Sequence, residues 1–164
     1  MIFKRKDNSQ LKDSNGPKVS EIKLMKDYKF MYENFLISGQ RDLYLLLEES
    51  EGLIKALRFN FLIYKYGYPN DEAMGAHPMA KYGLGFYGLF EVLNSPWIFE
   101  ISNDNRIHPK HQDNIYNDYK HYIARFKDVT LDVICSKMEE MQLTKGQLLE
   151  IVNKEIDFIN NNAS

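Results

Sequence analysis

The stretch LIKALRFNFLIYKY, residues 53–66, decides the fold of this chain. Bulky apolar side chains recur there at every second position, at Leu57, Phe59, Phe61 and Ile63. A period of two places successive side chains on opposite faces of a strand. The stretch therefore predicts a long, bent strand with one uniformly apolar face and one mixed face.

A second apolar run, Leu43 to Glu49, precedes this strand, and the polar cluster Glu49-Ser50-Glu51-Gly52 separates the two. Two such runs joined by a short glycine-containing turn predict a β-hairpin. A helix over residues 42–57 is the alternative, because a helical period also fits Leu43, Leu46, Leu47, Ile54 and Leu57.

Further strands are predicted at Phe86 to Leu93, His121 to Phe126 and Val129 to Lys137, the last two joined at Lys127-Asp128. Together the strands predict an α+β fold built on a curved antiparallel sheet, or a small barrel, of about four to five strands.

Three helices are predicted around this sheet. An N-terminal helix over residues 19–35 follows from a possible N-cap at Ser20 and apolar residues every three or four positions. A short inserted helix after Asn94-Ser95-Pro96 runs from Trp97 to about Asn105. A C-terminal amphipathic helix over residues 145–160 begins at a capping box formed by Thr144 and Gln147.

Composition limits the class of protein. The chain has 164 residues, 44% of them hydrophobic, with a net charge of -2 and a single cysteine, Cys135, in an alternating apolar run. These values predict one α+β domain over residues 19–164, after a mobile polar tail over residues 1–18. We expect no nucleic-acid partner, because the net charge of the chain is slightly negative. The absence of a signal-like or membrane-spanning apolar run predicts a cytoplasmic protein without a membrane partner.

Rare side chains are concentrated between Tyr66 and His121. This region holds all four histidines, the only tryptophan and four of the five prolines, and residues 67–85 read as a long glycine- and proline-containing loop. The candidate ligand-binding residues are Tyr68, Asp71, Glu72, His77, Tyr87, Glu91, Asn94, Trp97, His108, His111 and His121. The aromatic members of this set fit the wall of a pocket, although core packing explains the same residues.

The best candidate for metal binding is His108-Pro109-Lys110-His111, with His77, His121 or Glu91 as a third ligand. No His-Glu-x-x-His motif occurs, and four histidines in 164 residues are close to an ordinary content, so the sequence predicts no metal and no cofactor.

Acid–base chemistry would need a histidine beside a carboxylate from Asp71, Glu72, Glu91 or Asp128. The spacing Gly83-x-Gly85-x-x-Gly88 matches a dinucleotide-binding pattern but precedes a strand instead of following one, so we reject it. These glycines are expected to let the backbone bend or approach its neighbours closely.

The order GYPNDEA, HP, YGxxEVxNSxWI, NxxHPxH and HYxxxFxDxT, over residues 67–134, resembles a family of small uncharacterised bacterial proteins. That resemblance implies no activity, catalytic residue or cofactor.

An aromatic, loop-rich centre without a recognisable catalytic set predicts a non-catalytic module that binds a small ligand or a protein partner. Two alternatives stay open. One is a metal- or acid/base-dependent enzyme that uses the central histidines and Glu91. The other is an immunity or inhibitor protein whose acidic loop blocks a toxin.

Overall fold

The computed structural model describes residues 16–32 and 35–162. Most of the predicted N-terminal tail, residues 1–15, lies outside the described residues, and β1 begins at Lys18. The strands are β1 (Lys18–Ile22), β2 (Phe35–Ser38), β3 (Asp42–Ser50), β4 (Leu53–Gly67), β5 (Gly88–Leu93), β6 (Lys120–Arg125) and β7 (Thr130–Thr144). The helices are α1 (Pro96–Asp104) and α2 (Lys145–Asn162). Short 3₁₀ turns lie at Met74–Ala76, Ala80–Tyr82, Asn105–Ile107 and Asp113–Tyr116.

All seven strands belong to one antiparallel sheet in the order β1-β5-β6-β7-β4-β3-β2. The outermost strands β1 and β2 pair on one side only, so the sheet is open and not a barrel. The prediction of four to five strands is therefore wrong, because it missed both short edge strands. A strand of four or five residues shows too little alternation to be recognised from its own sequence.

The predicted N-terminal helix is also wrong, since residues 16–32 contain no helix. Ser20, the predicted N-cap, lies in the middle of β1 and pairs with Glu91 of β5. Of the apolar residues that suggested a helical face, Ile22 and Tyr28 pack on the core beside the buried Phe30, whereas Met25 is 85% exposed and Tyr32 is 62% exposed. Pairing with the edge of β5 satisfies the backbone hydrogen-bonding groups of β1. This tertiary contact overrides the helical period of the local sequence.

The hairpin of β3 and β4 is confirmed, and the helical alternative over residues 42–57 is wrong. Its turn places Glu51 and Gly52 at positive φ. Both faces of β3 are buried: Leu43, Leu45 and Leu47 join one apolar cluster, while Tyr44 and Leu46 join another. A strand buried on both faces loses its alternation, so its sequence also fits a helical period.

The sheet carries its core on two faces. One face holds the main cluster, contributed by β3 to β7 and by Phe30. On the opposite face α2 covers one cluster, with Leu148 and Ile151 packed on Leu143, and the loop after β4 covers another, with Met79 and Leu84 packed on Ile123. The functional residues described below lie on this second face, beneath that loop.

The inserted and C-terminal helices are confirmed. Ser95 caps α1 by accepting a hydrogen bond from the Ile98 N–H, and Pro96 occupies the first turn. Thr144 and Gln147 form the predicted reciprocal capping box at the start of α2. No helix in the described part of the chain is both long enough and apolar enough to span a membrane.

The long loop, residues 68–87, is attached to the sheet at its beginning. The Thr130 hydroxyl donates to the Pro69 carbonyl over 2.7 Å, and the Asp71 N–H donates to the Lys127 carbonyl over 2.9 Å. At its end, a Cβ at Gly85 would lie 2.7 Å from the ring of Phe90, so glycine permits the close backbone approach that the sequence suggested. The loop is therefore held against β5, β6 and β7.

Candidate functional site

Two histidines far apart in sequence meet at one carboxylate. His77 Nε2, in the loop, lies 3.0 Å from Asp132 Oδ2 and 3.2 Å from Oδ1. His121 Nε2, on β6, lies 3.0 Å from Asp132 Oδ1. Asp132 projects from β7 on the face that the loop covers, opposite Ile123 of β6. The structure thus joins the loop and two strands through one buried polar cluster, which we call the His–Asp–His cluster.

The second ring nitrogen of each histidine is also bonded. The Met79 N–H donates to His77 Nδ1 over 3.1 Å, and the Ser95 hydroxyl lies 2.8 Å from His121 Nδ1. A carboxylate only accepts, so each neutral ring must carry its proton on Nε2 and accept at Nδ1. Ser95 therefore donates to His121 while its oxygen accepts from Ile98. This chain of hydrogen bonds fixes one tautomer for both histidines.

Asp132 stays ionised within the cluster. Burial alone would raise the pKa of this carboxyl, but the hydrogen bonds donated by His121 and His77 outweigh burial and lower the pKa to about 2. The carboxylate is 15% exposed, whereas the side chains of His77 and His121 are 5% and 4% exposed. It is therefore the part of the cluster that a ligand can reach.

The tautomers bear on metal binding. A histidine that ligates a metal through Nε2 usually donates its Nδ1–H to an acceptor. His77 Nδ1 instead faces a backbone N–H donor, which leaves Nε2 protonated and without a lone pair for a metal. Within residues 16–32 and 35–162, no group of three His, Cys, Asp or Glu side chains is placed to hold a metal ion.

A cavity of about 330 Å³ opens above the cluster. Its floor is formed by the His–Asp–His cluster, and its walls and rim by Lys65, Tyr68, Pro69, Ala76, Pro78, Met79, Pro96, Trp97 and Glu100. This volume lies within the range of small-molecule sites, which are mostly apolar with a few fixed polar groups. We call it the Trp97 cavity.

Trp97 is held from two sides. Its ring meets that of His121 edge to face, with 5.4 Å between the centroids, and the Lys65 ammonium lies 4.3 Å from the indole centroid. Both contacts are favourable for an indole. Tyr68 stands at the rim with 76% of its surface exposed, so it is free to cover a ligand. Lys65 and Glu100 form no ion pair with any described residue.

The structure disperses the other candidate residues. Glu91 lies on the opposite face of the sheet from His121 and pairs with Lys120 over 3.2 Å. His108 is exposed and accepts from the Lys110 N–H, and His111 contacts Asn105. The proposed grouping of His108 and His111 with His77, Glu91 or His121 therefore does not form.

The remaining candidates lie outside the Trp97 cavity. Asp71 accepts a 2.6 Å hydrogen bond from the Tyr87 hydroxyl, which raises the pKa of Tyr87. Glu72 is exposed. Asn94 adopts a positive φ of 53° in the turn before α1. Asn94 does not line the Trp97 cavity.

Sequence reasoning missed Asp132, Ser95 and Lys65 as site residues. The signal for Asp132 was an acidic residue in the alternating run Leu131-Asp132-Val133, but such a residue ordinarily faces solvent. Ser95 was recognised only as a helix cap. Neither spacing nor composition could show that both would contact His121.

Arg125 is a further buried charge beneath the loop. Its side chain is fully buried, Nη2 donates to the Asn70 carbonyl over 3.4 Å, and Nε and Nη1 have no partner among the described residues. Burial lowers the pKa of the guanidinium, while the charges of Asp132 and Asp71 act in the opposite direction. Arg125 therefore offsets part of the negative charge of Asp132 from the same face of the sheet, beneath the loop.

The sequence matches no protein-family model, and comparisons with curated proteins and with solved structures found no significant match.

Proposed function

We propose that this protein binds a small ligand in the Trp97 cavity and does not transform it. The observation that carries the proposal is an aromatic-walled cavity of about 330 Å³ above a polar floor whose four imidazole nitrogens are all bonded. A general base needs a nitrogen within reach of a substrate proton. The hydrogen bonds to Asp132, Met79 and Ser95 occupy these nitrogens, so the cluster supports a rigid floor better than it supports proton transfer.

The cluster also fixes the walls. Through Ser95 it holds the first turn of α1, which carries Trp97, and through His77 it holds the loop that carries Tyr68 and Met79. A site whose supporting residues are locked in place loses little conformational entropy on binding. This preorganisation favours ligand binding.

Trp97 allows a direct test because it is the only tryptophan. A fragment library is screened by tryptophan fluorescence and by chemical-shift changes of the indole N–H. Bound fragments are expected to perturb Trp97, Ala76 and Met79 together. Perturbed residues that cluster elsewhere, or no binding fragment at all, would contradict the proposal.

Matched tyrosine variants locate the site. Tyr68→Ala removes an exposed aromatic ring from the rim and is expected to weaken fragment binding. Tyr87→Ala removes a ring outside the cavity that bonds Asp71, and is expected to leave binding unchanged. Equal effects of the two changes would argue against the Trp97 cavity.

A second candidate function is hydrolysis through Ser95, His121 and Asp132. The observation in its favour is the continuous chain of 2.8 Å and 3.0 Å contacts from a hydroxyl through an imidazole to a carboxylate. Against it, the Ser95 residue is only 7% exposed and its oxygen also caps α1.

A fluorophosphonate probe separates the two functions. In a hydrolase the Ser95 oxygen would bond to phosphorus, fluoride would leave, and the hydroxyl proton would pass to His121. Mass spectrometry that shows no adduct on Ser95 in folded protein would reject this candidate.

The third function, a toxin inhibitor that acts through the acidic loop, has no comparable support, because Asp71 is hydrogen-bonded to Tyr87.

A further inference from the structure

We propose that the ligand of the Trp97 cavity carries a protonated amine, or an equivalent cationic N–H group, which binds Asp132. This inference rests on the proposed function and specifies the chemistry of its ligand. The floor of the cavity retains hydrogen-bonding capacity for such a group.

The floor can accept hydrogen bonds but not donate them. Both histidines already direct their Nε2–H groups to Asp132, and their Nδ1 atoms accept from Met79 and Ser95. A carboxylate offers about four lone-pair sites. Within the part of the chain that the structure describes, Oδ1 is contacted by both histidines, whereas Oδ2 is contacted only by His77. The remaining capacity therefore lies mainly on Oδ2, and a ligand satisfies it with a donor.

Charge favours a cationic donor over a neutral one. Asp132 is ionised. Burial raises its pKa, but the hydrogen bonds from His121 and His77 outweigh burial and lower the pKa to about 2. Hydrogen bonds between two charged groups are shorter and stronger than neutral ones. At the rim Glu100 adds a second carboxylate without an ion-pair partner among the described residues.

The walls fit the rest of such a ligand. Tyr68, Met79, Pro78 and Ala76 offer an apolar surface between the floor and the rim. Among the described residues, Lys65 is the only lysine or arginine that lines the cavity, and its ammonium lies over the indole of Trp97, 4.3 Å from the centroid. The geometry therefore points to an apolar body with its cationic end directed inward, toward Asp132.

Three probes of similar size distinguish the charges: 2-phenylethylamine, 2-phenylethanol and 3-phenylpropionate. Each is titrated into the full-length protein while Trp97 fluorescence and indole chemical shifts are followed. We expect the amine to bind at least about fivefold more tightly than the alcohol, and the carboxylate to bind most weakly.

The outcomes separate the two proposals. Binding of the alcohol or the carboxylate at Trp97 with an affinity equal to or above that of the amine overturns the amine inference and leaves the ligand-binding function standing. Failure of all three probes, and of the fragment library, to perturb Trp97 overturns both.

A pair of charge variants on α1 provides the matched control. Glu100→Gln removes the rim carboxylate and is expected to weaken amine binding about twofold or more, and to affect alcohol binding less. Asp104→Asn removes a charge from the same helix outside the cavity and is expected to change neither. An amine affinity that falls as much with Asp104→Asn as with Glu100→Gln would mean that net charge, and not the cavity, attracts the amine, and would reject the inference.

Discussion

His121 Nε2 lies 3.0 Å from Asp132 Oδ1, although the two residues are not register partners on their neighbouring strands. Asp132 pairs with Ile123, and His121 pairs with Ile134. The contact is therefore diagonal across β6 and β7, on one face of the sheet. Because the same carboxylate accepts from His77, and His121 accepts from Ser95, this diagonal contact ties the sheet to both the loop and α1.

Asp132→Asn tests whether this carboxylate organises the site. An asparagine offers one acceptor oxygen, and its NH₂ group would face one of the histidine N–H donors. We expect the free energy of unfolding to fall by about 1–3 kcal/mol, the cost of leaving a buried donor unpaired. Chemical denaturation measures the change.

The control for Asp132→Asn is Asp104→Asn, which changes an exposed aspartate and should shift stability by less than about 0.5 kcal/mol. Equal stability of the wild type and Asp132→Asn would show that the cluster is not a structural unit.

Acid should remove the contribution of Asp132. Its pKa in the folded protein is lowered from 3.8 to about 2, because hydrogen bonds from His121 and His77 outweigh burial. Stability from this group is therefore fully present above about pH 4 and is lost as the pH falls toward 2. The shift corresponds to about 2 kcal/mol.

The measurement compares unfolding of the wild type and Asp132→Asn between pH 5 and pH 2. The difference in unfolding free energy between them should shrink as the solution becomes more acidic. A difference that stays constant over this range would contradict the lowered pKa.

Ser95→Ala should weaken both α1 and its attachment to the sheet. It removes the side chain that caps Ile98 and the hydroxyl that donates to His121. A lost N-cap costs about 1–2 kcal/mol. Ser102→Ala, on the same helix, is the control and should cost less than about 0.5 kcal/mol.

A double-mutant cycle extends the Ser95 prediction. Ser95→Ala and Asp132→Asn should be non-additive by more than about 0.5 kcal/mol, because both residues bond His121. Strictly additive effects would mean that the hydrogen-bond chain does not act as a unit.

Cys135 should react only when the protein unfolds. The thiol is completely buried, and burial raises its pKa to about 12. At pH 8 the thiolate fraction is then on the order of 1 in 10⁴. Since this is the only cysteine, the rate of labelling by a thiol reagent should follow the rate of global unfolding.

Labelling of Cys135 is compared with and without denaturant. The expected result is a single adduct that forms rapidly in denaturant and slowly in buffer. Rapid labelling in buffer would place the thiol at the surface and contradict its position in the core.

The two helices and the β3–β4 hairpin were predictable because local physics decides them. The Ser95-Pro96 start of α1 and the Thr144–Gln147 capping box satisfy backbone groups within a few residues. The edge strands β1 and β2 were not predictable. The partner of β1 is β5, which is distant in sequence, and both edge strands are too short to show a recognisable alternation.

The candidate site shows the same division. The sequence by itself determined that histidines, the single tryptophan and a long loop share one region, because composition and turn-forming residues are properties of the chain. It did not determine which histidines meet. Glu91 is excluded from the His–Asp–His cluster because neighbouring residues of a strand point to opposite faces of the sheet. Glu91 pairs with Tyr122 on the far face, whereas His121 pairs with Val92 on the near face.

Only the tertiary structure brought His77 and Ser95 to the sheet and made Asp132 their common centre. Fifty-five residues separate His77 from Asp132 along the chain. Their contact depends on the packing of the loop on β6 and β7, which is set by long-range burial and not by local pattern. The Trp97 cavity is a consequence of that packing, with its walls supplied by the loop and α1 and its floor by the sheet.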